Sequence, residues 1–367
     1  MASSNKKLVA IVDSHTSYRK DIDASLCSFY DIIDHDNGRM ATLKALIDAV
    51  PALIIVGEDV SPSNSINFIG ELRNTPELNP VPILHIINEK NLRLIEDSKK
   101  TGVSEIITKP FKRSELIRKI SSILNANVEK SWDALPELQR DALKSSVGIF
   151  NDIEDVLLSD DTVSFANVKG GCQSLVSAIA ENDFSSILEG VRDHDDYTYA
   201  HSMRVATLLT LLGNAAGFRN EDQLIMSSGG LLHDVGKMYI PHHILNKPGR
   251  LTEAEFEIMK GHVGKTVDYL KKVENIPSAV FIIAEQHHEK IDGTGYPFGL
   301  KGKELNELAR MAAVVDVFSA LTDRRVYKEP MKVSKAMNIM SEEMVGHLDQ
   351  NYVKMFRGIL IDAKLLV

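Results

Sequence analysis

The segment Leu231-Leu232-His233-Asp234-Val235-Gly236-Lys237 constrains this chain more than any other. Two leucines lead straight into an imidazole and a carboxylate, so a core-seeking stretch must bury two ionisable groups side by side. Such burial is costly unless something pairs them. Read as a buried helix, the segment returns Lys237 to the face of His233 one turn later. A carboxylate has two oxygens and can bridge two cations, and a neutral imidazole supplies one firm nitrogen ligand. The segment therefore reads as half of a metal site.

Other apolar stretches repeat the pattern. His201 lies in a helix opening at Asp195-Asp196-Tyr197, whose apolar face continues through Leu208, Leu209 and Leu212. His262 follows Ile258-Met259-Lys260-Gly261, His287-His288 follow Ile282-Ile283-Ala284, and Asp316 ends the run Ala312-Ala313-Val314-Val315. Each alone reads as an ordinary hydrogen-bonded core residue. Together, five imidazoles and two carboxylates on separate apolar helices need cations to join them. Seven ligands exceed one tetrahedral site and suit two ions sharing a carboxylate, for which Asp234 is the best candidate. Mixed nitrogen and oxygen donors suit iron, manganese, cobalt or zinc better than magnesium. His242-His243, beside Pro241, read as surface residues after a turn.

Nine of the 12 histidines fall between His194 and His347, so the chemistry is expected in the second half. At 367 residues, two domains are the natural expectation. No apolar run reaches a membrane-spanning length, and Met1 to Lys7 is polar, so a cytoplasmic protein without a membrane segment is expected. Cys27 and Cys172 stand in no paired spacing and read as packing residues. The net charge of -9 argues against nucleic-acid binding, and an anionic substrate then needs local cations or metals.

In the first third, short apolar runs (Lys7 to Val12, Ile32-Ile33, Leu53 to Val56, Ile83 to Ile87, Glu105 to Thr108) alternate with helical segments (Tyr18 to Cys27, Met40 to Ala49, Ile66 to Arg73, Leu92 to Lys100, Ser114 to Leu124). This predicts a doubly wound α/β domain with a parallel sheet. It resembles the receiver domain of response regulators, with Thr108-Lys109-Pro110-Phe111 after the fifth strand. Gly57 stands at that family's phosphate-accepting aspartate, Asp13-Ser14 at its acidic pair and Ile87 at its switch hydroxyl. The resemblance thus implies a receiver-like domain that has lost phosphorylation. Glu58 is the one nearby acid, with a longer arm on the opposite strand face.

The expected boundaries are a receiver-like domain at 1–126, a helical connector at 127–160 and an all-α domain at 161–367. In the connector, Trp132, Leu135, Leu138, Leu143, Ile149, Ile153, Val156 and Leu157 recur at helical intervals. That stripe either packs on the following domain or forms a homodimer stalk. The helical pattern resumes from Val163 to Ile179, weakened at Gly170-Gly171.

His233-Asp234 and the run His288-Glu289-Lys290-Ile291-Asp292-Gly293-Thr294-Gly295-Tyr296-Pro297 resemble the two signatures of the HD-GYP family of HD-domain phosphohydrolases. The match runs from about Asp195 to Lys328. It implies hydrolysis of cyclic di-GMP, with His201, His233, Asp234, His262, His287, His288 and Asp316 on metal-ligand positions. Lys237 falls on a phosphate-contacting position, Tyr296 in the substrate-facing loop, and Arg325 and Lys328 on substrate-holding basic positions. In the loop, Gly293 and Gly295 are expected to supply backbone angles closed to other residues. Tyr296 either meets a nucleobase or is an aromatic lid on a helix end. Ser319 and Arg324 stand where the family usually has acids, and Tyr197 where some relatives have a glutamate for a third metal.

The expectation is a two-domain signalling enzyme cleaving cyclic di-GMP to linear pGpG or GMP with two divalent ions, iron or manganese. Asp234 and Lys237 are its catalytic residues, and protein partners are expected for the receiver-like domain. The rivals are a phosphohydrolase of another nucleotide and a catalytically weak cyclic di-GMP receptor.

Overall fold

The computed structural model describes residues 6–27, 29–158, 164–181, 183–192, 194–245, 247, 249–323 and 330–363. The chain divides into two units, Met1–Asn127 and Val128–Val367.

The first unit alternates β1 (Leu8–Val12), α1 (Thr16–Leu26), β2 (Asp31–His35), α2 (Met40–Ala49), β3 (Leu53–Val56), α3 (Ser65–Asn74), β4 (Ile83–Asn88), α4 (Leu92–Lys99), β5 (Glu105–Lys109) and most of α5 (Arg113–Ser131), whose last turn belongs to the second unit. The strands form one parallel sheet in the order β2-β1-β3-β4-β5. Because side chains alternate along a strand, the sheet feeds two cores. Val9, Ile11, Leu53, Ile55, Leu84 and Ile86 pack on one face, and Ala10, Val12, Ile54, Val56 and Ile83 on the other. This is the receiver-like α/β fold, and α5 runs seven residues past the expected Leu124.

Gly57 follows β3. A Cβ there would lie 1.7 Å from Asp13 Oδ2, so the Asp13 side chain occupies the space a larger residue would need. Burial pushes the Asp13 carboxyl up, opposed by the backbone N–H of His15 and by Lys109. Glu58 is turned to the β4–α4 turn, accepting from Asn88 N at 3.0 Å and Asn91 Nδ2 at 2.6 Å. Lys109 Nζ lies 3.4 Å from the Tyr18 ring centroid.

The second unit is helical, with no β-strand among the described residues. It contains α6 (Glu137–Leu158), α7 (Phe165–Ala180), α8 (Ser185–Gly190), α9 (Tyr197–Ala216), α10 (Glu221–Leu232), α11 (His242–Leu245), α12 (Glu253–Leu270), α13 (Ser278–Gln286), α14 (Glu307–Thr322), α15 (Val333–Asn338) and α16 (Gln350–Asp362). Trp132, Leu143, Ile149, Phe150 and Ile153 of the connector stretch are buried in this unit's own core with Val168, Cys172 and Leu175 of α7. The described part of that apolar stripe is therefore used within the chain. Among the described residues no helix is long and apolar enough to cross a membrane.

Candidate metal centre

Five elements of the helical unit bring the seven predicted residues together. Asp196 caps α9 by accepting from Tyr199 N at 3.0 Å, which starts the helix at Tyr197 and places His201 in its second turn. The helix α10 ends at Leu232, with His233 as its C-cap, so the expected helical run does not continue through Lys237. Val235–Tyr239 instead form a 3-10 turn. Gly236 seats that turn against α12: a Cβ there would meet the His262 carbonyl oxygen at 2.1 Å, and its N–H donates to Thr266 Oγ1 at 2.9 Å. His287 is the C-cap of α13, and Asp316 lies in the buried middle of α14.

The donors fall into two groups that share Asp234. His201, His233, Asp234 and Asp316 form one, and Asp234, His262, His287 and His288 the other; within each group one donor atom per residue lies within 4.8 Å of the rest. Asp234 turns Oδ2 toward His233 Nε2 (3.2 Å) and His201 Nε2 (3.6 Å). Its Oδ1 faces His262 Nε2 (3.1 Å) and His287 Nε2 (3.7 Å). Asp316 Oδ1 lies 3.0 Å from His201 Nε2, and its Oδ2 lies 3.7 Å from His288 Nδ1.

The hydrogen positions follow from the partners behind the rings. His233 Nδ1 lies 2.7 Å from Gly230 O, His262 Nδ1 2.6 Å from Met259 O, and His287 Nδ1 2.9 Å from Ala284 O. A carbonyl oxygen only accepts, so each Nδ1 carries a hydrogen and each Nε2 is turned inward, with a lone pair to offer whenever the ring is neutral. Those three Nε2 atoms and Asp234 Oδ1 are buried and form no hydrogen bond. Lone pairs facing carboxylate oxygens repel unless a positive charge lies between them.

Protons cannot fill that role at every ring. Burial disfavours charge on His233, yet Asp234 and Asp316 outweigh it and lift its pKa to about 9. Burial, with His288 and His233 nearby, drives His287 well below the ordinary imidazole value, and burial holds His288 at about 3. Burial also opposes charge on Asp234, but Lys237 and His233 keep its carboxyl well below the usual range. His287 and His288 are thus held neutral beside ionised carboxylates, whereas a cation between His233 and Asp234 takes the place of the His233 proton; this mixed donor set suits borderline divalent transition ions.

The other predicted residues divide. Lys237 Nζ meets Asp234 Oδ2 at the rim of the centre. The Tyr296 ring lies 4.7 Å from the His288 ring, and both border a cavity of about 320 Å³ also lined by Phe256, Lys260, Thr294 and His347. Burial, with Asp234 and Asp316 nearby, pushes the Tyr296 hydroxyl pKa up. Gly293 takes a left-handed φ of +82°, as expected. Gly295 does not: it is needed for closeness, since a Cβ there would lie 2.4 Å from Lys290 N. Arg325 and Lys328, like Arg324, lie outside the described residues.

Two buried acids carry structure that the sequence reading missed. Glu289 accepts from the backbone of Phe298 (2.6 Å), Gly299 (3.1 Å) and Leu300 (3.0 Å), and so ties down the loop carrying Tyr296. Asp323 Oδ2 lies 2.7 Å from His201 Nδ1. Its signal was its spacing, seven residues after Asp316 and thus back on the same helical face.

Residues 187–352 match the family model described as HD domain. A cyclic di-GMP phosphodiesterase of Pseudomonas aeruginosa is 40% identical over 168 residues, 45% of this chain and 40% of that protein. A 3'3'-cGAMP-specific phosphodiesterase of Vibrio cholerae is 37% identical over 153 residues, 42% of this chain and 33% of that protein. This chain thus spans 40% or less of the length of those two relatives. Among solved structures, an HDG"Y"P protein of Bdellovibrio bacteriovorus aligns with 70% of this chain and 88% of its own at TM-score 0.50 and 20% identity, a likeness of fold.

Proposed function

We propose that this chain, whose helical unit belongs to the HD-GYP branch of the HD-domain proteins, hydrolyses cyclic di-GMP to linear pGpG or GMP. The reading places it in the cytoplasm, with two divalent ions, iron or manganese, at the Asp234 centre. The observation that carries it is the division of Asp234, one oxygen toward His201 and His233 and the other toward His262 and His287. His201, His233, Asp234 and Asp316 would hold one ion, and Asp234, His262, His287 and His288 the other. Ions bound there supply Lewis-acid catalysis for phosphodiester cleavage.

The remaining residues bind and orient the substrate. Lys237 brings a positive charge to the rim, where a phosphodiester approaching Asp234 gains negative charge as it reacts. Tyr296, with the Phe256 ring 6.1 Å away and Lys260 Nζ 5.9 Å from its centroid, offers an aromatic and cationic wall for a base. Arg325 and Lys328 are proposed to hold the guanine or phosphate portions, and the receiver-like unit to dock partner proteins.

The test is incubation of anaerobically purified protein, loaded with iron or manganese, with cyclic di-GMP and separately with 3'3'-cGAMP, followed by separation of products. Faster cleavage of cyclic di-GMP supports the proposal. Preference for the mixed dinucleotide, which is motivated by the Vibrio cholerae relative, moves the substrate and keeps the chemistry. Tight binding without cleavage rejects the enzyme in favour of a receptor.

A further inference from the structure

Three of the imidazoles aimed at Asp234 are held from behind by a carbonyl three residues earlier in their own chain segment. His201 is held differently. Its Nδ1 lies 2.7 Å from Oδ2 of Asp323, a residue 122 positions along the chain at the C-cap of α14. The other oxygen of that carboxylate is 3.1 Å from Arg204 Nε, and Arg204 Nη2 donates to Thr322 Oγ1 at 2.7 Å. His201 and Arg204 are three residues apart on α9, so both reach the end of α14 from one helical face. A carboxylate only accepts, so Nδ1 keeps its hydrogen toward Asp323 and Nε2, 3.0 Å from Asp316 Oδ1, is the nitrogen turned to the centre. Ser319 does not take this part: one turn earlier on α14, its Oγ is buried and makes no hydrogen bond.

We infer that Asp323 is the positioning residue of His201, and that it tunes one half of the centre alone. The group of His201, His233, Asp234 and Asp316 has a charged acceptor behind one ring. Behind His262 and His287 of the other group stand neutral carbonyls. A carboxylate behind an imidazole fixes the ring and makes it a more basic donor, and losing such a partner typically costs about 10–100-fold in metal affinity. The inference rests on the two-ion reading above.

The experiment titrates Co(II) into the full-length chain and its Asp323→Ala and Asp323→Asn variants, following heat and the visible Co(II) absorption. The expected result is two binding steps in the unchanged protein. In Asp323→Ala one step weakens by about 10–100-fold while the other stays within a few-fold. Asp323→Asn, similar in shape and still an acceptor, is expected to fall between and carries the comparison if the alanine variant does not fold. Unchanged affinity at both steps in a folded variant, or equal loss at both, overturns the inference while the two-ion reading stands. Fewer than two steps in the unchanged protein overturns that reading and the inference with it.

Discussion

The ring of Tyr197 stacks on the imidazole of His201, with centroids 5.8 Å apart and planes inclined by 20°. Tyr197 opens α9 one turn before His201, and the neighbouring Asp196 is engaged in capping that helix. A phenol with a pKa near 10 is a poor ligand for a divalent ion at neutral pH, whereas a carboxylate is already ionised. Metal analysis of protein purified without chelator is therefore expected to give about two ions per chain. A reproducible value near three, lost in Asp195→Ala, would reject this.

Asp234→Ala is expected to lower bound metal at both halves and turnover by more than about 100-fold, since each oxygen of Asp234 faces a different pair of imidazoles. Metal content and product formation, measured on the same preparation, check it. Retention of both ions at normal turnover sinks the assignment.

Glu289→Gln should act on substrate and leave the metals in place. The Glu289 carboxylate accepts three backbone N–H groups of the loop after Tyr296, each a charge-assisted bond worth about 1.5–3 kcal/mol. The expected outcome is a KM raised by roughly 10-fold with two ions retained. A metal loss equal to that of Asp234→Ala would assign Glu289 to the centre instead.

Acetyl phosphate should leave no acyl phosphate on the receiver-like unit, because Gly57 has no side chain and Asp13 fills the adjacent space. Mass spectrometry detecting phosphate on Asp13 or Glu58 would overturn this. Gly57→Asp is not expected to restore phosphorylation. It forces two carboxylates into one buried space, and thermal unfolding should show a loss of about 1–3 kcal/mol.

The first unit should weaken as pH falls from about 6.5 to about 4. His85 is fully buried, and burial lowers its pKa to about 4. The unfolded chain takes up a proton near the ordinary value of 6.5 and the folded chain does not, so protons favour unfolding throughout that window. The full contribution is roughly 3 kcal/mol. Urea unfolding of the chain and of His85→Leu at pH 7 and pH 4.5 checks the sign: the variant should lose less stability on acidification.

Periodicity was enough for the first unit. Four-residue runs such as Leu53–Val56 are buried on both faces, and their alternation with helical segments fits a parallel sheet covered by helices. It was insufficient for the connector, whose apolar stripe fits a neighbouring helix of the same chain as well as a second copy. The packing of Ile149 and Ile153 with Val168 and Cys172 shows the stripe in use within the chain. The Lys237 segment differs for a local reason: α10 ends at Leu232, Gly236 seats closely on α12, and Lys237 reaches Asp234 through a 3-10 turn.

By itself the sequence determined which side chains need an answering charge, because a histidine or an aspartate inside an apolar run is costly wherever the run folds. Only the tertiary structure decided how the seven residues divide. The allotment of Asp234 oxygens, the carbonyls behind His233, His262 and His287, and the carboxylate of Asp323 behind His201 depend on how α9, α10, α12, α13 and α14 cross. Those crossings are set by packing between residues far apart in the chain, and spacing along one helix carries no record of them.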